Sequence, residues 1–165
     1  MSDSGSFLPM PEFSAYLPNE SATLALGSKL SEVLVPGLVV YLSGHLGAGK
    51  TTLARALLKG LGYTGKVKSP TYTLVELYAV SRLDLYHFDF YRFASSQEWL
   101  DAGFREYFTA DAVCLVEWPE KAGGSLPKAD LIITLSVHET GRTVTIAAGT
   151  QEGEQCLKRL EQLPG

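Results

Sequence analysis

The sequence predicts a single α/β domain in which a mostly parallel central sheet is flanked by helices, with some antiparallel strands at one side. Short apolar runs at 38–42 and 112–116 are typical of strands buried on both faces, and segments with helical spacing of apolar residues lie between the strands. The late segments 131–137 and 143–147 resemble the two arms of a hairpin around residues 140–141.

The composition limits the classes of protein to consider. A length of 165 residues suits one domain, which would bury roughly two thirds of the surface of its unfolded chain. The hydrophobic fraction of 45% and charged fraction of 19% favour a folded chain over a disordered one. A net charge of -4, without a run of Lys or Arg, offers no electrostatic footprint for unaided binding to nucleic acid or an anionic membrane. If the protein serves an RNA, a partner must hold that RNA.

Cysteine usage and the lack of targeting signals indicate the cytoplasm. Cys114 and Cys156 are too few for a disulfide framework and lack zinc-binding spacing, so we expect two buried free thiols. We find no apolar run of the ~18 residues that a membrane span needs, and no secretion signal at the start.

The domain is predicted to cover residues 13–163. Residues 1–12 are rich in Ser, Gly and Pro, and we expect them to be disordered. An edge strand is predicted over 13–17, after which Asn19 or Ser21 can cap a first helix.

Further elements follow from local patterns. A second helix starts at Lys50, where leucines and alanines form one stripe. Strands are predicted over 73–78 and 83–91, and a capping box at 95–98 indicates another helix. The last helix is predicted near 154–163.

The glycine-rich segment 44–51, GHLGAGKT, fits the pattern G-x-x-x-x-G-K-[ST] and is followed by Thr52. Glycines permit positive φ and close backbone approach, so that successive N–H groups and the helix N-terminus can surround phosphate oxygens. Lys50 would then neutralise the β- and γ-phosphates, and the Thr51 hydroxyl would ligate Mg²⁺. A buried strand before the loop and a helix after it favour a P-loop NTPase over a chance glycine-rich turn. The predicted nucleotide site comprises Gly44, Gly47, Ala48, Gly49, Lys50, Thr51 and Thr52.

Two acidic residues are candidates for the catalytic centre. Glu117 directly follows the apolar strand 112–116, where a carboxylate would emerge beside the phosphates, although a surface acid that merely ends a strand is the alternative. Trp118 follows it and is equally explained by packing. The strand period puts His87 and Asp89 on one face, where they could serve Mg²⁺ or its waters, or else be a satisfied core histidine and a structural Asp–Arg pair.

Three motifs beyond the glycine loop reveal a family resemblance: SPTYTLV at 69–75, HFDFYR at 87–92 and LVEW at 115–118. With the loop, and in this order, they resemble the TsaE (YjeE) family of bacterial ATPases of tRNA threonylcarbamoyladenosine biosynthesis over about residues 13–163. They discriminate far better than the loop does, because generic NTPases do not carry them together. Taken alone, residues 69–73 suit either a nucleotide-sensing switch or a plain turn.

The resemblance implies a P-loop fold and Mg²⁺-dependent ATP hydrolysis that serves threonylcarbamoyl (t6A) modification of tRNA adenosine 37. It implies that residues 47–52 contact the phosphates, that Thr51 and Glu117 bind Mg²⁺, and that Asp89 is a functional acid in the nucleotide-responsive region. The predicted catalytic residues are therefore Lys50, Glu117 and Asp89. It also implies that the environment of Trp118 changes with nucleotide state, and that residues 69–73 belong to a switch.

The resemblance also implies partners and contacts to the nucleotide base. Family members contact the base from the periphery, and we expect Glu20 and Arg142 to do so here, although no motif fixes either residue. Family members work with TsaD and TsaB; the ATPase resets that complex, whereas TsaD performs the transfer. The acidic composition agrees with partner binding rather than direct tRNA binding.

Other functions remain open from the residues alone. A small-molecule or nucleoside kinase would need a lid that brings arginines to the transferred phosphate, but the arginines here are scattered. A GTPase would need an N-K-x-D element, which the sequence lacks. A nucleotide-dependent interaction module with slow hydrolysis would differ from the ATPase in rate rather than in site.

Overall fold

The computed structural model describes residues 11–45, 48–67, 75–80, 83–91 and 103–164. In these residues seven strands form one sheet: β1 (Glu12–Leu17), β2 (Val39–Ser43), β3 (Val75–Ala79), β4 (Asp84–Asp89), β5 (Ala112–Glu117), β6 (Leu131–His138) and β7 (Gly141–Ala148). The α-helices are α1 (Glu20–Val33), α2 (Lys50–Gly60) and α3 (Gln151–Gln162), and the 3₁₀ helices are η1 (Phe104–Tyr107) and η2 (Pro119–Ser125). The helix predicted around 95–98 and nearly all of the segment predicted to be disordered lie outside the described residues.

The sheet is mixed, with the strand order β1-β7-β6-β2-β5-β4-β3. The four central strands β6, β2, β5 and β4 are parallel, and the outer strands pair antiparallel. This confirms the predicted α/β class and the late hairpin β6–β7. A further antiparallel strand, β3, lies at the opposite edge, because its short connection to β4 cannot make the crossover that a parallel neighbour requires.

Strands β2 and β5 lie at the centre of the sheet, where both of their faces are covered. This is why their sequences are almost continuously apolar. Their register aligns Leu42 with Glu117, and Glu117 with Asp89 of β4. The carboxyl ends of three parallel strands therefore meet at one edge, where the glycine loop leaves β2.

Side-chain caps set the helix starts. Asn19, one of the two predicted caps, accepts a hydrogen bond from the Ala22 N–H at 3.0 Å. Helix α3 starts at Gln151, three residues before the predicted 154, because Thr150 caps it by accepting from the Gly153 N–H at 3.1 Å. The Thr150 hydroxyl also donates to Asp130 at 2.6 Å, a tertiary contact that has no local sequence signal.

The two faces of the sheet are covered differently. The three α-helices pack on one face over a large aliphatic core. An aromatic cluster built on Phe88, Phe90 and Phe104 covers the other face beside β4 and β5. Both cysteines are buried free thiols, as expected, and burial raises the pKa of Cys114 to about 12. Within the described residues, no helix is both long and apolar enough to cross a bilayer.

Helices α1 and α2 approach each other closely where Gly27 meets Ala56. A Cβ added at Gly27 would overlap the Ala56 methyl group and crowd the backbone of α2. Helix α2 begins with Lys50 directly after the glycine loop, so this contact fixes the position of the helix that carries Lys50.

We predict that Gly27→Leu lowers the free energy of unfolding by about 1–3 kcal/mol, because the added side chain cannot fit between the helices. Urea denaturation measures the change. The control Ala25→Leu, at an exposed position of the same helix, should stay within about 0.5 kcal/mol of the parent. Equal effects of the two variants would show that the α1–α2 contact is not tight.

Candidate functional site

The glycine-rich loop has the backbone that its sequence predicts. Gly44 has a φ of +150°, and a Cβ there would overlap the Leu135 carbonyl oxygen, whereas Gly49 has a φ of +100°. Between them the Ala48 N–H donates to the His45 carbonyl at 3.1 Å. Residues with a side chain rarely adopt such φ angles, so the conformation of the loop requires glycine at positions 44 and 49. The predicted phosphate contact Gly47 lies outside the described residues.

The N-terminus of α2 suits an anionic ligand. Gly49 provides no side-chain cap, and the first turn carries no acidic residue, whereas α1 and α3 each begin with one or more glutamates. The first N–H groups of α2 therefore keep their hydrogen-bonding capacity and their partial positive charge for a bound group such as a phosphate.

Lys50, the first residue of α2, is buried with only 6% of its surface exposed. Its Nζ lies 3.7 Å from Oε1 of Glu117 and 4.3 Å from the centre of the Trp118 ring. A buried ammonium needs a compensating charge, and the carboxylate and the aromatic face both supply negative potential. The structure thus brings together the lysine, the acid and the tryptophan that the sequence predicted for the site.

Glu117 has a second partner, His87 of the neighbouring strand β4. The His87 Nε2 lies 2.6 Å from Oε2 of Glu117, and both side chains are buried. The sequence placed His87 on the same strand face as Asp89 but could not name its partner, which lies 30 residues away. The two carboxylate oxygens of Glu117 therefore face different groups.

Asp89 ends β4 directly beside Glu117 in the sheet register and is 7% exposed. Its Oδ1 accepts a hydrogen bond from the Tyr91 backbone N–H at 2.9 Å. Burial raises the pKa of the Asp89 carboxyl, and the negative charge of Glu117 adds to this effect, while the Tyr91 hydrogen bond opposes it. The expected acid is therefore present, next to the other candidate acid.

Trp118 adopts a left-handed backbone with a φ of +58°, which is uncommon for a residue other than glycine. Its ring contacts both the Lys50 ammonium, 4.3 Å from the ring centre, and the ring of Tyr91, whose centroid lies 4.9 Å away. Strained backbone of this kind persists only where the surroundings hold it, and it is frequent at functional sites.

Glu20 and Arg142, the two residues expected at the nucleotide base, line the same cleft of about 150 Å³. Gly49 and Thr52 line it too, so the cleft adjoins the glycine loop. The Arg142 Nε donates to the Ala48 carbonyl at 3.2 Å, which ties strand β7 to the loop. A second cleft of about 230 Å³ on another side of the loop is lined by Gly44, His45, Lys50, Trp118 and Thr134, among others.

The donor groups that the structure describes near the glycine loop suit Mg²⁺ that is also bound by water and substrate. These described groups do not form a site in which protein side chains alone hold the metal. In the parts of the chain that the structure describes, no three His, Cys, Asp or Glu side chains form a metal-binding group. Mg²⁺ typically takes one or two carboxylates and completes its shell with waters and substrate phosphates. Glu117 at a strand end offers one carboxylate, and Thr51 in the exposed first turn of α2 offers a hydroxyl beside the glycine loop. The predicted switch at 69–73 lies outside the described residues.

The fold and the site together define an α/β protein whose glycine-rich loop and acidic residues meet at the carboxyl ends of parallel strands. The chain belongs to the TsaE family: the family model described as threonylcarbamoyl adenosine biosynthesis protein TsaE matches residues 17–144. This confirms the resemblance that the sequence motifs indicated.

Individual relatives agree over most of their length. A tRNA threonylcarbamoyladenosine biosynthesis protein TsaE of Haemophilus influenzae is 42% identical over 153 residues, covering 90% of this chain and 97% of the relative. The protein of the same name from Bacillus subtilis is 37% identical, with 87% and 90% covered. The crystal structure of Bacillus subtilis YdiB superimposes with a TM-score of 0.82 at 31% identity, over 94% of this chain and 97% of that one.

The raised pKa of Asp89 predicts a pH-dependent stability difference. A raised pKa contributes stability that is fully present below the unfolded-state pKa and is lost as pH rises through the folded-state value. Asp89→Asn removes this titration. The free energy of unfolding of the variant should therefore rise relative to that of the parent as pH increases from about 3.5 to 7.

Urea unfolding across that pH range measures the difference. The control Asp111→Asn, at an exposed position, should follow the parent profile. An Asp89→Asn difference that does not change with pH would contradict the assigned direction.

Proposed function

We propose that this protein is a Mg²⁺-dependent ATPase that serves t6A modification of tRNA adenosine 37. One observation carries the proposal: at the start of α2, a buried lysine is held by the carboxylate of Glu117 at the end of the adjacent parallel strand. P-loop hydrolysis needs both groups close to the phosphates, the lysine to bind them and the acid at a strand end to hold the metal, which is why this placement supports the proposal. The family, named for t6A biosynthesis, supports the biological setting.

ATP would enter with its phosphates over Gly49 and the first N–H groups of α2. The phosphates would then take the Lys50 ammonium from Glu117, because they offer a stronger and better-placed negative charge. Glu117 would then be free to act as a metal ligand, and Asp89, its neighbour in the sheet register, would orient an attacking water.

Thr51 and Glu117 are the residues that would hold Mg²⁺, which neutralises charge on the phosphate oxygens when bound. The buried position of Asp89 gives this carboxyl a greater affinity for protons than a surface aspartate has, which suits a group that aligns or accepts a proton from water. Such positioning is most of what phosphoryl transfer asks of a protein.

The cleft beside Gly49 is the proposed place of the adenosine. Glu20 and Arg142 line its sides and offer a carboxylate acceptor and guanidinium donors. Arg142 also donates a hydrogen bond to the loop backbone, so this side chain would link base binding to phosphate binding.

The proposed partners are TsaD and TsaB, with hydrolysis resetting their complex. The net charge of -4 supports a protein partner over direct tRNA binding, because phosphate contacts require clustered cations. The test is release of inorganic phosphate from Mg²⁺·ATP by the protein alone and with purified TsaB–TsaD. Stimulation by the partners supports the proposal, whereas transfer of phosphate to an added small-molecule acceptor would support a kinase instead.

Lys50→Ala should weaken ATP binding by about 1.5–3 kcal/mol, because it removes a charge-assisted contact to the phosphates. Isothermal titration calorimetry measures the affinity. Lys59→Ala provides the matched control, since Lys59 is an exposed lysine in the last turn of the same helix. An unchanged affinity of Lys50→Ala would refute the phosphate-binding assignment.

Glu117→Ala and Asp89→Ala should each lower ATP turnover by about 10- to 100-fold or more, because the first removes a metal ligand and the second the group that orients water. Phosphate release under saturating ATP measures turnover, and Glu161→Ala on the exposed side of α3 is the control. Hydrolysis at the parent rate by both variants would show that the strand-end acids are not catalytic.

A further inference from the structure

The buried imidazole of His87 contacts Glu117 through the carboxylate oxygen that does not face Lys50. The Nε2–Oε2 distance is 2.6 Å, and His87 is 3% exposed. The contact crosses between adjacent parallel strands whose register pairs His87 with Leu115 and Asp89 with Glu117. Both backbones are therefore fixed by the sheet, and the side-chain contact is a diagonal one between them.

The surroundings of His87 decide which nitrogen carries its proton. Among the described residues, its Nδ1 is buried and has no hydrogen-bond partner. An N–H group at that position would be left unsatisfied, which is costly, whereas a proton on Nε2 has the Glu117 carboxylate as its acceptor. The structure thus favours the tautomer in which Nε2–H donates to Glu117.

We propose that His87 is a positioning residue, whose Nε2–H holds one oxygen of Glu117 so that the other stays directed at the phosphate and metal side. This inference rests on the proposed function, in which Glu117 is a ligand of Mg²⁺. Sequence patterns gave His87 no such role, since its partner lies on another strand.

The need for this contact follows from what happens to Lys50. Within the described residues, Lys50 and His87 are the two side chains that pair with Glu117. Once phosphates engage Lys50, the hydrogen bond from His87 is the restraint that remains on a side chain with three rotatable bonds. Loss of it lets the carboxylate turn, and groups that orient a metal ligand are typically worth about 10- to 100-fold in metal affinity or activity.

The test compares three variants of His87 that differ in the position of the side-chain hydrogen-bond donor. His87→Gln places an amide donor near the position of Nε2, His87→Asn places one near Nδ1, and His87→Leu has none. Leu85→Ala, at a buried position two residues earlier on the same strand face, is the control for lost packing. ATP affinity is measured by calorimetry in EDTA and again in Mg²⁺, so that the metal-dependent gain is obtained without reference to turnover.

We expect His87→Asn and His87→Leu to lose about tenfold or more of the metal-dependent gain, while their affinity for ATP in EDTA stays at the parent value. His87→Gln should keep most of the gain, and Leu85→Ala should keep it while melting at a lower temperature. Nitrogen-15 NMR of the unliganded parent should show the His87 proton on Nε2.

Equal gains in the parent, His87→Gln and His87→Asn would overturn the positioning role, as would a proton on Nδ1 with none on Nε2. The comparison of the two amides stands even if His87→Leu does not fold. A parent with no metal-dependent gain would instead refute the magnesium part of the proposed function, and the inference would fall with it.

Discussion

The carboxylate of Glu117 is shared between Lys50 and His87, and the whole site depends on that sharing. Three buried polar side chains would be costly without partners, because desolvation penalises each charge and each unmade hydrogen bond. Here each oxygen of one carboxylate compensates a different neighbour. The arrangement holds a buried ammonium at the start of α2, and under the proposed function a bound phosphate would replace Glu117 as its partner.

The sheet makes this sharing possible. Parallel pairing of β4, β5 and β2 aligns Asp89, Glu117 and Leu42, so that the acids emerge where the glycine loop begins. The aromatic cluster packs on β4 and β5 on the face of the sheet opposite the α-helices, and Trp118 packs against this cluster. Helix packing at Gly27 fixes the other half of the site, because α2 carries Lys50.

Much of this was predictable where the signal is local. The glycine loop, the buried strands and Glu117 at a strand end follow from short patterns, and the motifs led to the correct family. The pairing of His87 with Glu117, the placement of Lys50 over Trp118 and the direction of β3 depend on strand neighbours that the sequence does not specify. The start of α3 was misplaced because its cap, Thr150, is held by the distant Asp130. Glu20 and Arg142 do share a cleft, but only the folded β7 brings them together.

The most direct test of the account is the emission of Trp118 in a Trp99→Phe variant during titration with Mg²⁺·ATP. The Lys50 ammonium lies 4.3 Å from the Trp118 ring, and the proposed function moves it to the phosphates. We therefore expect a saturable change in emission whose midpoint matches the calorimetric affinity. Lys50→Met in the same background should abolish the change. Tight ATP binding with unaltered Trp118 emission would contradict the claim that Lys50 passes from Glu117 to the nucleotide.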